Sequence, residues 1–186
     1  MGLCYGLADG LKRLGGMLSL HNAVTGIRCE NGGFVIRTQA GEIRADVVVN
    51  CGGVRAPELG RMVGLAIPIR ARQGQILVSE QSFKVARQKV MEFGYMMAKF
   101  QNRGEYKRPV TEDMEKYGVA LVYEPTGGDN FLLGSSRYFT EDLHAEIDVM
   151  RAIAQRGIRF FPVMEHIKVI RAYAGIRPFT PDHMPI

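Results

Sequence analysis

The chain has 186 residues, with 24 Lys and Arg against 19 Asp and Glu, a formal charge of +5. Apolar residues make up 46% and charged residues 23%, enough apolar material for a real core, which excludes a disordered chain. Three cysteines exclude a disulfide scaffold, and no apolar run nears the roughly 20 residues that cross a bilayer.

The opening residues, 1–16, carry Asp9, Lys12 and Arg13 and do not read as a signal peptide. The expected setting is a reducing, cytoplasmic compartment without a membrane span. Net positive charge raises the question of nucleic acid, which needs clustered Lys and Arg. In residues 84–116 the basic side chains, among them Lys99, Arg103, Lys107 and Arg108, are diluted by Glu92, Glu105, Glu112, Asp113 and Glu115. A nucleic-acid partner is therefore not expected; an anionic small ligand is compatible with the charge.

Residues 2–15 predict one amphipathic helix, because Leu3, Leu7, Leu11 and Leu14 share a face. Gly15 and Gly16 end it. An extended segment runs from Leu18 through Val24 and Ile27 to a turn at residues 30–33 (ENGG). Residues 34–38 and 43–45 read as a hairpin about residues 39–42. Residues 46–53 (DVVVNCGG) hold consecutive valines that cannot alternate in and out, so a strand covered on both faces is expected there. Glycines at its C-terminal end mark the place where ligands sit in open α/β sheets. A short helix is expected over residues 56–64, with Pro57 in its first turn.

Residues 67–78 read as a turn into a long strand, and residues 80–118 give no clear period. Residues 120–125 and 131–136 predict a hairpin about the glycine-rich connection 126–130. Residues 141–157 predict a helix capped by Thr140, with Leu143, Ile147, Met150 and Ile153 on one face. Residues 168–178 predict a strand running into a proline-rich tail. The order of elements points to an α+β (mixed α/β) fold.

No G-x-G-x-x-G follows a first strand, and no C-x-x-C, H-E-x-x-H or G-x-S-x-G occurs. His21, His144, His166 and His183 lack ligand spacing, so no metal is expected. Cys4 and Cys29 read as small buried apolar groups. Cys51, beside Gly52 and Gly53, is either a core residue or one that approaches a ligand. Arg177 stands in a stiff frame with Pro178 and Pro181. A fixed guanidinium suits bidentate capture of a carboxylate; a salt bridge to Asp182 or to a glutamate is the other reading.

The tail RAYAGIRPFTPDHMPI resembles the R-x-x-A-G-x-R-P-x-T-P-D-G-x-P-I signature of the D-amino-acid oxidase-like family of FAD-dependent amine oxidoreductases. Upstream, ADVVVNCGGVRAPELGRMVGLAIPIRARQGQILVSE is similar to that family's A-D-x-V-V-N-A-A-G-x-W-A and P-I-x-P-x-R-G-Q stretches. The segment LVYEPTGGDNFLLGSSRYFTEDL resembles the G-N-F-L-L-G-S-S-R-E block of sarcosine oxidase β-like and proline or hydroxyproline dehydrogenase β-like members. These blocks, with the opening helix and hairpin, follow the family's order along nearly the whole chain. His183 stands where the family has glycine, and residues 53–55 (GVR) replace its glycine-then-aromatic pair.

The resemblance implies an internal portion of a longer protein, without the family's N-terminal dinucleotide-binding unit or its C-terminal flavin segment. It implies part of an FAD domain over residues 1–66, a substrate domain with an antiparallel sheet over 67–176, and a return to the FAD domain at 177–186. The implied activity of the whole protein is FAD-dependent oxidation of an amine or amino acid (glycine, sarcosine, proline or D-amino-acid type) by hydride transfer to flavin. Arg177 would pair with the substrate carboxylate, and Tyr123 would line the substrate pocket. Val24, Cys51, Gly52, Gly53 and Gly175 would lie along the FAD. Heteromeric dehydrogenase subunits or a homo-oligomer are compatible with this family. Without the phosphate cradle, these 186 residues alone are expected to hold FAD poorly or not at all. A non-catalytic folded fragment or assembly module is the alternative.

Overall fold

The computed structural model describes residues 2–97, 110–182, 184 and 186. His183 and the charged residues Lys99, Arg103, Glu105, Lys107 and Arg108 lie outside the described residues. The fold is mixed α/β, with antiparallel sheets, in two compact units, residues 1–67 and 68–186.

The first unit opens with helix α1 (Gly2–Arg13), whose last turn carries Lys12 and Arg13, the charge sign that complements a helix C-terminus. Gly15 follows at φ +80, a left-handed position that glycine takes without a Cβ clash. The leucine face of α1 is exposed.

Strands β1 (Val24–Glu30), β2 (Gly33–Thr38) and β3 (Gly41–Ala45) form an antiparallel meander. Glu30 pairs with Gly33 across a two-residue turn in which Asn31 and Gly32 both have positive φ, 52° and 82°. That twist matches the strands it joins. Arg28 bridges Glu30 and Glu42, and Arg44 reaches Glu30. Cys29 is exposed, as are Cys4 and Cys51. The expectation that Cys4 and Cys29 are buried is therefore corrected: a three-stranded meander buries little beyond Val35 and Thr38.

Residues 47–52 form no strand, and Val47 and Val49 are 74% and 79% exposed. The strand covered on both faces is thus corrected. A valine run supplies apolar surface, but a strand also needs neighbours for its N–H and C=O groups. Among the described residues none pairs with this segment. The chain then closes into a 3₁₀ turn at Gly53–Arg55 and helix α2 (Ala56–Arg61), with Pro57 in the first turn.

In the second unit, β4 (Arg70–Ser79) is the axis. Its burial alternates: Gln73, Gln75, Leu77 and Ser79 are buried on one face, and Arg72, Gly74, Ile76 and Val78 take the other. It pairs along its length with β9 (Val169–Phe179), and on its other edge with β7 (Phe131–Gly134) and β8 (Tyr138–Phe139). Strands β6 (Val122–Pro125) and β5 (Val90–Met91) extend the sheet beyond β7. The β6–β7 hairpin closes through Thr126 and Asn130, as the glycine-rich connection predicts.

Helices α3 (Phe93–Met97) and α4 (Glu112–Tyr117) fall in the unreadable middle. Helix α5 (Ile147–Phe160) packs Val149, Ala152 and Ile153 into a core with Leu77, Tyr123 and Leu133.

Helix α5 begins at Ile147, and Thr140 is not its cap. The cause is a pair of buried amides. Gln73 Nε2 donates to the Asp142 carbonyl at 2.5 Å, and Gln75 Oε1 accepts from the Glu146 N–H at 3.1 Å. Those two backbone groups would otherwise bond each other in a helix that began earlier. Burial raises the Tyr138 hydroxyl above its ordinary value, and that hydroxyl donates to Gln73 Oε1 at 2.6 Å.

Candidate functional site

On the sheet face opposite α5 lies a cavity of about 340 Å³. Its floor is the β4–β9 pair, where Gly74 faces Gly175 and Ile76 faces Tyr173. Val122 and Glu124 of β6, with Lys89 and Tyr95, form its side. Paired glycines at the floor leave room that side chains would take. An added Cβ on Gly175 meets nothing within 4 Å, so the space above it is open.

Arg177 lines this cavity. It lies on β9 two and four residues beyond Gly175 and Tyr173, and so shares their face. Its Nη2 lies 3.8 Å from the position of a Cβ on Gly74, which places the guanidinium over the floor. No ion pair joins it to Asp182 or to any glutamate among the described residues; Asp182 instead accepts from the Met184 N–H at 3.0 Å. The one acid in the wall, Glu124, is held by Lys89 at 2.7 Å.

Tyr123 does not line the cavity. It is fully buried, stacked near Phe131 and Phe161, with its hydroxyl bonded to the Ala86 backbone. The correction follows from the strand period: Val122 and Glu124 face the cavity, so the residue between them faces the core. Tyr173 and Glu124 were reachable by that same alternation. Lys89 and Tyr95 carry no sequence signal, because residues 80–118 have no period.

The other predicted positions belong to the first unit. Val24 is an edge position of β1, 36% exposed. Cys51 is exposed beside Gly52. Asn50, which sequence reasoning missed, shapes this turn: its Oδ1 accepts from Gly52 N at 3.1 Å, and its Nδ2 donates to the Ala56 carbonyl at 3.0 Å. A Cβ on Gly52 would sit 3.0–3.1 Å from Leu59, Ala56 and Asn50, so the turn itself requires glycine there. Gly53 has φ +57 with open space around its Cα. No cluster of His, Cys, Asp or Glu among the described residues is arranged to hold a metal, and no helix of them is long and apolar enough to cross a membrane.

A family model described as FAD dependent oxidoreductase matches residues 1–186. The chain belongs to that family. Among relatives of this FAD-dependent oxidoreductase, a subunit of the opine oxidase of Agrobacterium tumefaciens (strain Ach5) is 26% identical over 184 residues, covering 99% of this chain and 42% of that protein. Mitochondrial sarcosine dehydrogenase of Mus musculus is 27% identical over 203 residues, covering all of this chain and 20% of the relative. Glycine oxidase from Geobacillus kaustophilus superposes with a TM-score of 0.75 at 22% identity, over 98% of this chain and 43% of the other. L-proline dehydrogenase from P. horikoshii gives a TM-score of 0.73 at 21% identity, over 94% and 42%. These two show the fold. The chain thus spans less than half the length of each of these proteins.

FAD is the cofactor of the family. The residues present fit one flank of such a group. In the first unit, residues 47–53 are an uncovered backbone run ending in glycines, with Gly53 open on one side. In the second, Gly175 is open on the cavity floor. The glycine-rich phosphate cradle has no counterpart in these 186 residues.

Proposed function

We propose that the protein to which these residues belong oxidises a small amine or amino acid of the glycine, sarcosine, proline or D-amino-acid type. Residues 1–66 contribute to its FAD domain and 67–176 form its substrate domain, with 177–186 turning back. FAD, when bound, supplies the acceptor for the hydride that leaves the amine-bearing carbon, and the imine product is then hydrolysed by water or leaves as a cyclic imine.

The chain's own part is positioning. Arg177 holds the substrate carboxylate, a charge-assisted pair worth about 1.5–3 kcal/mol. Its place on a paired strand fixes the fork, so the amine-bearing carbon is presented in one orientation. Tyr173, Ile76 and Val122 make an apolar wall that keeps water from the pair. Gly175, and in the first unit Val24, Cys51, Gly52 and Gly53, lie along the FAD. The observation that carries this reading is Arg177: a cation on a cavity wall with no carboxylate partner among the described residues.

Anaerobic addition of such amines to the yellow full-length protein should bleach the flavin. Arg177→Met should raise KM for carboxylate-bearing substrates about 10- to 100-fold. No bleaching across the panel, or an unchanged KM, would overturn it.

The missing phosphate cradle favours a second reading for the 186 residues alone: a folded module that assembles without holding FAD. The opine oxidase relative and hydrogen cyanide synthase subunit HcnC are both named as subunits, which supports a heteromeric assembly as its setting; a homo-oligomer and the cytoplasm complete this reading. Flavin retained through gel filtration by residues 1–186 would sink it.

A further inference from the structure

Arg72 and Arg177 are directly opposed in the β4–β9 register. Both lie on the cavity face of the sheet, since they share the parity of Gly74 and Gly175. Side chains opposed in this way have Cβ atoms about 4.5–5.5 Å apart, and like charges there destabilise the sheet. A sheet that keeps two arginines at such a pair needs negative charge close by.

Among the described residues none provides it. Arg72 and Arg177 make no ion pair, and Glu124 is engaged by Lys89. Arg72 Nε is buried without a hydrogen-bond partner, an orphan donor that calls for an acceptor. The Arg72 guanidinium is held beside the rings of Phe139 and Phe179, at 5.6 and 5.1 Å from their centroids. Those rings pack edge to face at 5.1 Å, so the group is braced. Arg137 adds further positive charge, stacked 3.6 Å over the ring of Tyr95, which lines the cavity. Burial, with Arg137 and then Arg177 as neighbours, lowers the pKa of Arg72, as expected for a cation crowded by cations.

The geometry points to a substrate with two carboxylates, one held by Arg177 and the second by Arg72: an amine or imino acid bearing a second acidic arm. This rests on the reading of Arg177 given above. It adds Arg72 as the residue that selects the dianion, where a single arginine would accept any monocarboxylate. Discrimination is expected because a site with a braced, unpaired cation loses a charge-assisted bond when the second acid is missing.

The test is calorimetric titration of the full-length protein with glutarate and with butyrate, two unreactive probes differing in one carboxylate. Glutarate should bind about tenfold or more tightly than butyrate. Arg72→Met should erase that ratio and leave butyrate affinity unchanged, and Arg72→Lys should restore part of the ratio. Arg177→Met should weaken both probes.

Equal affinity of the wild-type protein for the two probes overturns the inference without any variant. So does an Arg72→Met effect equal on both, which would assign Arg72 to a carboxylate elsewhere in the longer protein. If Arg177→Met weakens neither probe, the reading of Arg177 fails as well. If it weakens both while Arg72→Met leaves the ratio intact, only the dicarboxylate inference fails.

Discussion

Arg156 of α5 grips both carboxylate oxygens of Glu92, at 2.5 and 3.0 Å, and the side chains are 12% and 5% exposed. Glu92 Oε2 also accepts from the Leu121 N–H at 3.0 Å. One carboxylate thus ties the segment after β5 to helix α5 and to the entry of β6. A buried pair of this kind is a poor source of net stability but is costly to break, because the survivor is left charged without a partner. Arg156→Met should therefore destabilise the protein by about 3–5 kcal/mol. Replacing both partners together (Glu92→Met with Arg156→Met) should cost less than Arg156→Met alone. Urea midpoints of the wild type and the two variants decide this; a double variant worse than the single one would refute it.

Gly118 ends α4 at φ +60, and a Cβ there would lie 2.4 Å from the backbone carbonyl oxygen of Arg137. The left-handed angle alone costs a non-glycine residue about 1–2 kcal/mol. The contact adds more, since a carbonyl paired into the sheet region cannot swing aside as a side-chain tip does. The neighbouring Arg137 N–H donates to the Tyr117 carbonyl at 2.8 Å, so movement would strain that bond too. Gly118→Ala should lower the thermal midpoint by several degrees, and Gly118→Asn, which tolerates the angle but keeps the clash, should lower it nearly as much. A neutral Gly118→Ala would show that this turn relaxes freely.

Much of the fold was legible because its signals are local. The Asn31-Gly32 turn, the leucine face of α1 and the register of β4 and β9 need only a period and a turn residue. The failures share a cause, which is contact distant in sequence. Nothing near Thr140 announces that Gln73 and Gln75, some seventy residues away, take the Asp142 carbonyl and the Glu146 N–H and so delay α5 to Ile147. The valines at 47–49 announce apolar surface but not whether a neighbouring strand is present. At the site, Arg177 was legible from its proline frame and the family tail. Arg72 was not, because its meaning comes from the residue it faces across the sheet. Tyr123 was misplaced because a motif position was preferred to the parity of its own strand.

The meander of the first unit is held on its exposed face by charge. Arg28 donates to Glu42 at 2.8 Å and to Glu30 at 3.1 Å, and Arg44 donates to Glu30 at 3.2 Å. Hydrogen bonding from Arg28 holds the Glu42 carboxyl below its ordinary range, and Arg44 followed by Arg28 does the same for Glu30. A carboxyl with a lowered folded-state pKa stabilises the fold at pH above its unfolded value. That contribution disappears as pH falls through the folded value, because the unfolded chain takes up protons first. The same contacts raise Arg28, so its contribution is lost only at strongly alkaline pH. Acidification below about pH 4 should thus weaken the meander, while pH 6 to 9 should leave it unchanged. Glu42→Gln should be less stable than the wild type at pH 6 and equal to it at pH 2.5. In 1 M salt, where the screening length falls to about 3 Å, the difference at pH 6 should shrink. Thermal unfolding of the two proteins at both pH values and both salt concentrations reads the effect. A difference that persists unchanged at pH 2.5 would mean that Glu42 acts through packing of its side-chain stem and not through charge.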